Sequence, residues 1–262
     1  MTALAAITVG SELLLTDFDA VVTGVFDRTC NFRLVNGRLA TCTTADYFDI
    51  PRGIRVDTPA DFRFQSAVRR GTSTHCRGGI VRFSASSLKI DCRGAVVWRG
   101  KFKPRSRPPA GLVRELWNMV RSVAREFPPI FSPRTLIGRG EGLTPAGDDV
   151  LAGLLAAPML VAPTRRSNRA LASEIRLRLP ATNEISAEML NNAMEGLFIE
   201  PVVSLLSAIY GNGDLQEAVR NICAVGATSG TAMLMGVLAG VADVENIRIQ
   251  PTPVSINQLR LA

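Results

Sequence analysis

Lys103-Pro104-Arg105-Ser106-Arg107-Pro108-Pro109-Ala110-Gly111 separates two kinds of sequence. Proline fixes φ and lacks an N–H, so a stretch with three of them can neither join a sheet ladder nor extend a helix. The residues before it favour strands and those after it favour helices. The chain therefore reads as α+β, with a β-rich basic domain over residues 1–105 and a helical domain over residues 106–262.

In the first part, Phe32-Arg33-Leu34-Val35 and Arg38-Leu39-Ala40-Thr41-Cys42 flank Asn36-Gly37, a pair that supplies the positive φ angles of a tight primed hairpin turn. Ile54–Val56, Ile80–Phe83, Leu88–Cys92 and Ala95–Trp98 continue the strand pattern. Short strands at this spacing predict a small β-barrel or a sandwich.

The second part predicts helices. Leu112 to Phe127 places Leu112, Val113, Leu116, Met119, Val120 and Val123 on one stripe, and Asn168 to Leu179 forms another helix. Ser186 is a candidate cap for a third, Pro201 opens a fourth, and Asp214 with Glu217 has capping-box spacing for a fifth.

Charge and composition narrow the function classes. The net charge of +7 is uneven, with 17 Lys and Arg against 9 Asp and Glu up to Arg107. The arginines are scattered through strand-like sequence and aromatic content is 6%, a poor match to a nucleic-acid surface. An acidic partner surface or a small anionic substrate accounts for the charge as well. The longest apolar run, Val150 to Pro163, contains Pro158 and is too short to span a bilayer. Met1-Thr2-Ala3-Leu4 lacks the basic start of a secretory signal. Five cysteines without a C-x-x-C pair fit a reduced cytoplasmic protein with no structural zinc. His75, the single histidine, excludes multi-histidine metal sites.

The chemistry concentrates in Gly138-Arg139-Gly140-Glu141-Gly142-Leu143-Thr144-Pro145-Ala146-Gly147-Asp148-Asp149. Three glycines at alternate positions let a backbone fold back and aim N–H groups at one point. Thr144 reads as an N-cap and Pro145 as the first helical residue. An anion suits that helix start, so Gly140, Gly142, Thr144 and Gly147 are candidate substrate-binding positions, with Arg139 as a clamp for carboxylate or phosphate. Asp148 and Asp149 are candidate catalytic residues and candidate ligands for magnesium through carboxylate oxygens. Consecutive helical residues diverge by about 100°, so one of the two is expected only to complement the helix dipole. Asn192, above Gly196 on a helical face, is a candidate reader of a carboxamide; a solvated face is the plainer reading.

Gly147–Ala156 also aligns without gaps against Gly230–Ala239, sharing Gly, Leu, Gly, Leu and Ala. Close packing of two small-residue helices explains this echo. The sharper reading is two helix N-termini facing one site, with Thr228, Ser229 and Gly230 opposite the glycine loop.

These residues resemble a known bacterial family. Leu136-Ile137-Gly138 through Asp149, Leu151-Ala152-Gly153, Ile185-Ser186-Ala187 with Gly196, and Gly226-Ala227-Thr228-Ser229-Gly230 with Gly236 are similar to the family that includes the AllH-type subunit of oxamate carbamoyltransferase. Family members commonly carry proline where this chain has Glu141, and an acid near the positions of Thr231 and Ala232. The resemblance implies a subunit of an assembly that interconverts oxalurate and phosphate with oxamate and carbamoyl phosphate in allantoin catabolism. It implies partner subunits, a small anionic substrate and, if the chain is enzymatic, transferase activity. A magnesium-dependent phosphotransferase and a non-catalytic scaffold are the alternatives.

Overall fold

A computed structural model of the chain describes residues 3–13, 17–102, 104–128, 131–164 and 166–249. Met1, Thr2, Lys103 and the side chain of Val123 lie outside the described residues. The chain forms two compact units, Met1–Gly100 and Lys101–Ala262.

The first unit contains β1 (Ala3–Gly10), β2 (Phe18–Val25), β3 (Thr29–Leu34), β4 (Leu39–Thr43), β5 (Gly53–Val56), the short α1 (Phe64–Ala67), β6 (Ser73–Arg77), β7 (Ile80–Phe83), β8 (Lys89–Asp91) and β9 (Val96–Trp98). The strand order is β5-β4-β3-β2-β6-β7-β8-β1-β9, and β5 also pairs with β1. That last pairing closes β1 to β8 into an eight-stranded barrel, so of the two predicted architectures the barrel is the one formed. One edge of β1 serves two parallel partners in turn, β8 at Ala3–Ala5 and β9 at Thr8–Gly10. Alternation puts Thr74 and Cys76 of β6 inside and leaves His75 half-exposed on the other face, as strand geometry requires. Phe32, Cys30, Cys42, Ile54, Phe64, Val81, Ile90 and Cys92 fill the interior.

The Asn36-Gly37 hairpin forms with a different turn. Among non-glycine described residues only Ala85 and Asn246 have positive φ, while Gly37 has φ 83°. The Leu34 N–H donates to the Arg38 carbonyl and the Gly37 N–H to the Leu34 carbonyl, both at 2.9 Å. This is a three-residue loop that ends on one left-handed glycine, and the primed two-residue turn is not made. Asn36 instead accepts from the Arg38 N–H through its side chain at 3.1 Å.

The second unit contains α2 (Ala110–Ala124), α3 (Pro133–Leu136), α4 (Ala146–Leu160), α5 (Arg166–Arg178), α6 (Glu184–Met194), α7 (Glu200–Ile209), α8 (Leu215–Cys223) and α9 (Ser229–Glu245). Every residue of α4 from Gly147 to Pro158 is buried, which makes α4 a central helix with no solvent face. The α8 cap is the expected one, with Asp214 accepting from the Glu217 N–H at 3.0 Å. The α6 cap is not. Asn183, three residues before the expected Ser186, accepts from the N–H groups of Ile185 and Ser186, and Ser186 is drawn inside the helix and fully buried.

α4 and α9 lie side by side and parallel. A Cβ on Gly153 would stand 2.2 Å from the Met233 carbonyl oxygen. One on Gly236 would stand 2.1 Å from the Val150 carbonyl oxygen, and one on Gly240 would stand 2.5 Å from that of Leu154. Contacts that advance together along both helices require the same chain direction, and glycines allow the two backbones to touch.

Candidate functional site

Each central helix begins in the same way. Gly147 and Gly230 are the second residues of α4 and α9. A Cβ on Gly147 would stand 2.0 Å from the carbonyl oxygen of Leu136, the last residue of α3. One on Gly230 would stand 1.8 Å from the carbonyl oxygen of Ile222 in α8. The sequence echo is thus a structural repeat, helix–loop–helix in both copies. The copies meet through equivalent positions: a Cβ on Gly236 would come within 3.0 Å of the Gly153 Cα.

Parallel helices packed in this way have adjacent N-termini. Thr144, just before α4, and Ser229, the first residue of α9, share a hydrogen bond at 2.8 Å between their hydroxyls. This bond moves the α4 cap. Thr144 spends its hydroxyl across the pair, Pro145 takes the N-cap position without a side-chain bond, and α4 opens at Ala146, one residue later than the sequence predicts. Thr228 is the N-cap of α9, also without a side-chain bond, and is exposed.

The copies differ in the length of the first helix, four residues in α3 and nine in α8, and in the glycine loop. Leu136 to Gly147 spans eleven positions and Ile222 to Gly230 eight, so the first copy has three more residues. Gly138, Gly140 and Gly142 all take positive φ, at 70°, 113° and 95°. The first two are held by neighbours: a Cβ on Gly138 would meet the Ala181 carbonyl oxygen at 2.4 Å, and one on Gly140 the Ala146 nitrogen at 2.8 Å. Gly142 has open space where a Cβ would be. Gly140, Glu141, Gly142 and Leu143 are exposed, and their N–H groups donate to no described residue. Arg139 is exposed beside them and reaches the Glu126 carbonyl oxygen at 3.5 Å.

The two aspartates have different surroundings although both are fully buried. Asp148 is a structural tie. Its Oδ1 accepts from the Gly138 N–H at 2.9 Å and its Oδ2 from the Thr182 hydroxyl at 2.5 Å. It thereby joins the start of the glycine loop to the segment that leads into α6. Nothing in the sequence spacing singled out Thr182, because its partner Asp148 lies 34 positions away.

Neither carboxyl oxygen of Asp149 has a hydrogen-bond partner among the described residues. Burial raises its pKa to about 7; the Ser229 and Thr144 hydroxyls oppose that shift, and the charge of Asp148 adds to it. Asp149 therefore lies close enough to the Thr144 and Ser229 hydroxyls to be influenced by them without accepting a hydrogen bond from either. Asp148 is turned toward Gly138 and Thr182, so of the two aspartates only Asp149 keeps carboxyl oxygens without a partner among the described residues, where no cluster of three His, Cys, Asp or Glu occurs.

Of the other predicted residues, Gly147, Ser229 and Gly230 belong to the paired helix starts. Asn192 does not join them. Thr182, before α6, bonds Asp148 at the start of α4, and Gly196, after α6, faces Met159 at its end. Asn192 is eight residues into α6, about 12 Å along the helix from its first residue at ~1.5 Å per residue. It is buried and its backbone carbonyl accepts from the Leu197 N–H at 2.9 Å.

Residues 136–241, which carry both helix starts, match the family described as oxamate carbamoyltransferase subunit AllH. Residues 5–97 match the AllH family N-terminal domain. The chain belongs to the AllH family. The two matched segments fall within the helical unit and the barrel unit respectively. No solved structure matches this AllH-family chain. No helix among its described residues is long and apolar enough to cross a membrane.

Proposed function

We propose that this chain serves in a carbamoyl-transfer assembly as the subunit that holds a small anionic substrate, oxamate, oxalurate or carbamoyl phosphate, at the paired starts of α4 and α9. The family description supports the role of subunit of an oxamate carbamoyltransferase. The observation that carries the binding reading is the 2.8 Å bond between Thr144 and Ser229, which holds two helix N-termini together. The N–H groups of Ala146 in α4 and of Ser229 and Thr231 in α9 donate to no described carbonyl, whereas those of Gly147 and Gly230 are taken by the Arg139 and Val225 carbonyls. Each N-terminus also carries roughly half a positive charge, so two side by side favour an anion more than either alone.

In this reading the exposed N–H groups of Gly140 to Leu143 and the Arg139 guanidinium form the outer rim, while Thr144, Thr228 and Ser229 form the floor. Gly147 and Gly230 let the helix starts pack deeply enough to face one point. Asp149 acts from beneath the floor, through the hydroxyls. Partner subunits complete the reaction site in the assembly.

Gly153, Gly236 and Gly240 are required by packing, whereas Gly142 is required by its positive φ of 95° and borders open space, which leaves room beside the loop for a ligand. Calorimetric titration of the purified chain, alone and with its partner subunits, with oxamate and with carbamoyl phosphate tests the proposal. Binding that weakens on replacing Ser229 or Arg139 with alanine supports it; absence of binding in every combination overturns it.

A further inference from the structure

We propose that the outer face of the barrel formed by β6, β7 and β8 docks an acidic helix of a partner subunit through His75, Arg82 and Lys89. This inference rests on the subunit part of the reading above and gives a partner to the barrel, which that reading leaves without a role.

Strand register sets the three residues in one row. His75 of β6 stands opposite Arg82 of β7, and Arg82 stands opposite Lys89 of β8. Their strand neighbours Thr74, Cys76, Val81, Phe83 and Ile90 are buried, so the row lies on the outer face, where all three residues are partly exposed. Side chains directly opposite have Cβ atoms about 4.5–5.5 Å apart, and like charges so placed repel. Arg82 and Lys89 therefore weaken the barrel that carries them. No acid on this face offsets them. Asp19, opposite His75 on β2, is held by Arg77 at 2.7 and 2.8 Å. Asp91, two residues after Lys89, is held by Arg93 at 2.9 and 2.5 Å, and Asp17 accepts from the Gly78 N–H at 3.0 Å. Among the described residues, the side chains of His75, Arg82 and Lys89 have neither a hydrogen bond nor an ion pair.

The unmatched charge and its spacing select the partner. The row runs across the strands, and its ends lie about 10 Å apart, two strand spacings of ~4.8 Å. Carboxylates at positions i, i+4 and i+7 of an α-helix repeat with a similar step, their Cβ atoms ~5–6 Å apart over about 10 Å of axis. An acidic helix laid across β6, β7 and β8 thus sets one carboxylate against each basic residue. Ala3 and Ala5 of β1 and Ser73 of β6 border the row and are exposed, and their short side chains leave the face low enough for a helix to lie on it. A nucleic acid is disfavoured, because the outward residues of β6, β7 and β8 include no Phe, Tyr or Trp on which bases stack. Charges in such a contact act through encounter and are screened by salt.

Association of the full-length chain with each purified partner subunit of the carbamoyl-transfer assembly is measured by surface plasmon resonance at about 0.05 M and about 0.5 M salt. Lys89→Glu is the deciding variant, because it sets opposite charges face to face on β7 and β8. The expected result is association weakened about tenfold at the lower salt and much less at the higher, with a denaturant midpoint above that of wild type. Arg82→Glu is expected to weaken association likewise. A helical alanine-based peptide with Glu at i, i+4 and i+7 is expected to compete with the subunit, and a peptide of the same composition in scrambled order is not. Association unchanged in both variants overturns the proposal and leaves the anion site at α4 and α9 to its own calorimetric test. A Lys89→Glu protein less stable than wild type overturns the premise of an unbalanced row, and equal competition by the two peptides overturns the spacing. Wild-type binding to a DNA duplex or to phosphatidylserine vesicles that is lost in Lys89→Glu, while subunit association persists, overturns the acidic helix in favour of that partner. A wild-type chain that binds no partner subunit overturns this proposal and the subunit reading together.

Discussion

Gly153 and Gly236 touch across the helical core: a Cβ placed on Gly236 would stand 3.0 Å from the Gly153 Cα and 2.1 Å from the Val150 carbonyl oxygen. The obstacle is backbone on a central helix, which cannot swing aside as the end of a side chain can. Gly236→Ala is expected to exceed the ~1–3 kcal/mol typical of overpacking, because α4 and α9 must separate along their length. Gly142→Ala has room for its methyl group but keeps the left-handed backbone, at a cost of about 1–2 kcal/mol. Denaturant unfolding of the two variants, compared with wild type, measures the order. A Gly236→Ala protein as stable as Gly142→Ala would refute the direct contact.

Asp148 ties the glycine loop to the entry of α6 through Gly138 and Thr182. Asp148→Ala strands a part-buried N–H and removes the partner of a hydroxyl, a loss of about 1–3 kcal/mol for an unsatisfied buried group. Asp148→Asn should be milder. Its Oδ1 can still accept from Gly138, and the Thr182 hydroxyl can rotate to accept from the new amide. Amide hydrogen exchange at Gly138 distinguishes the two, with faster exchange expected in Asp148→Ala than in Asp148→Asn. Equal protection in both would mean that the Asp148 bond does not hold the loop.

The α+β class and the location of the glycine loop were legible in the sequence, because each rests on local pattern. Pro104, Pro108 and Pro109 mark a change of period, and positive φ at Gly138, Gly140 and Gly142 follows from glycine's lack of a Cβ. What was hidden depended on distant partners. Barrel closure rests on β1 pairing with β5 and β8, β9 adds a third partner outside the ring, and nothing in Ala3–Gly10 announces three partners. Thr144 has the sequence of an N-cap, yet a hydroxyl 85 positions away draws it out of that role. Asp148 and Asp149 are the same residue type one position apart. Their different roles follow from Thr182 on one side and Ser229 on the other; the internal echo placed Ser229 opposite the loop, whereas nothing in the motif singled out Thr182.

The cysteines offer an independent check on the barrel. Cys30, Cys42, Cys76 and Cys92 are buried and Cys223 is exposed, all as free thiols. Burial pushes the Cys30 and Cys92 thiols up to about 12 and Cys42 well above its usual value, so the reactive thiolate is scarce as well as inaccessible. A thiol-specific chromogenic reagent should titrate one cysteine in the native protein and five in denaturant. The fast phase should vanish in Cys223→Ser. Rapid reaction of two or more thiols under native conditions would contradict a closed barrel.

Asp149 leaves a signature in the pH dependence of stability, apart from any ligand. Its pKa of about 7 in the folded protein, raised mainly by burial, compares with about 3.9 for an unfolded aspartate. Between these values the folded chain binds a proton that the unfolded chain has released, so stability declines as pH rises through that window and levels off above the folded value. The contribution is complete below about pH 4 and its steepest slope is ~1.4 kcal/mol per pH unit. Asp149→Asn, which cannot ionise, lacks this decline. The stability of wild type minus that of the variant is therefore expected to fall between pH 5 and pH 7 and to stay flat above pH 8. Denaturant midpoints across that range provide the measurement. Parallel profiles for the two proteins would show that Asp149 is ionised throughout, and that the hydroxyls of Thr144 and Ser229 outweigh its burial.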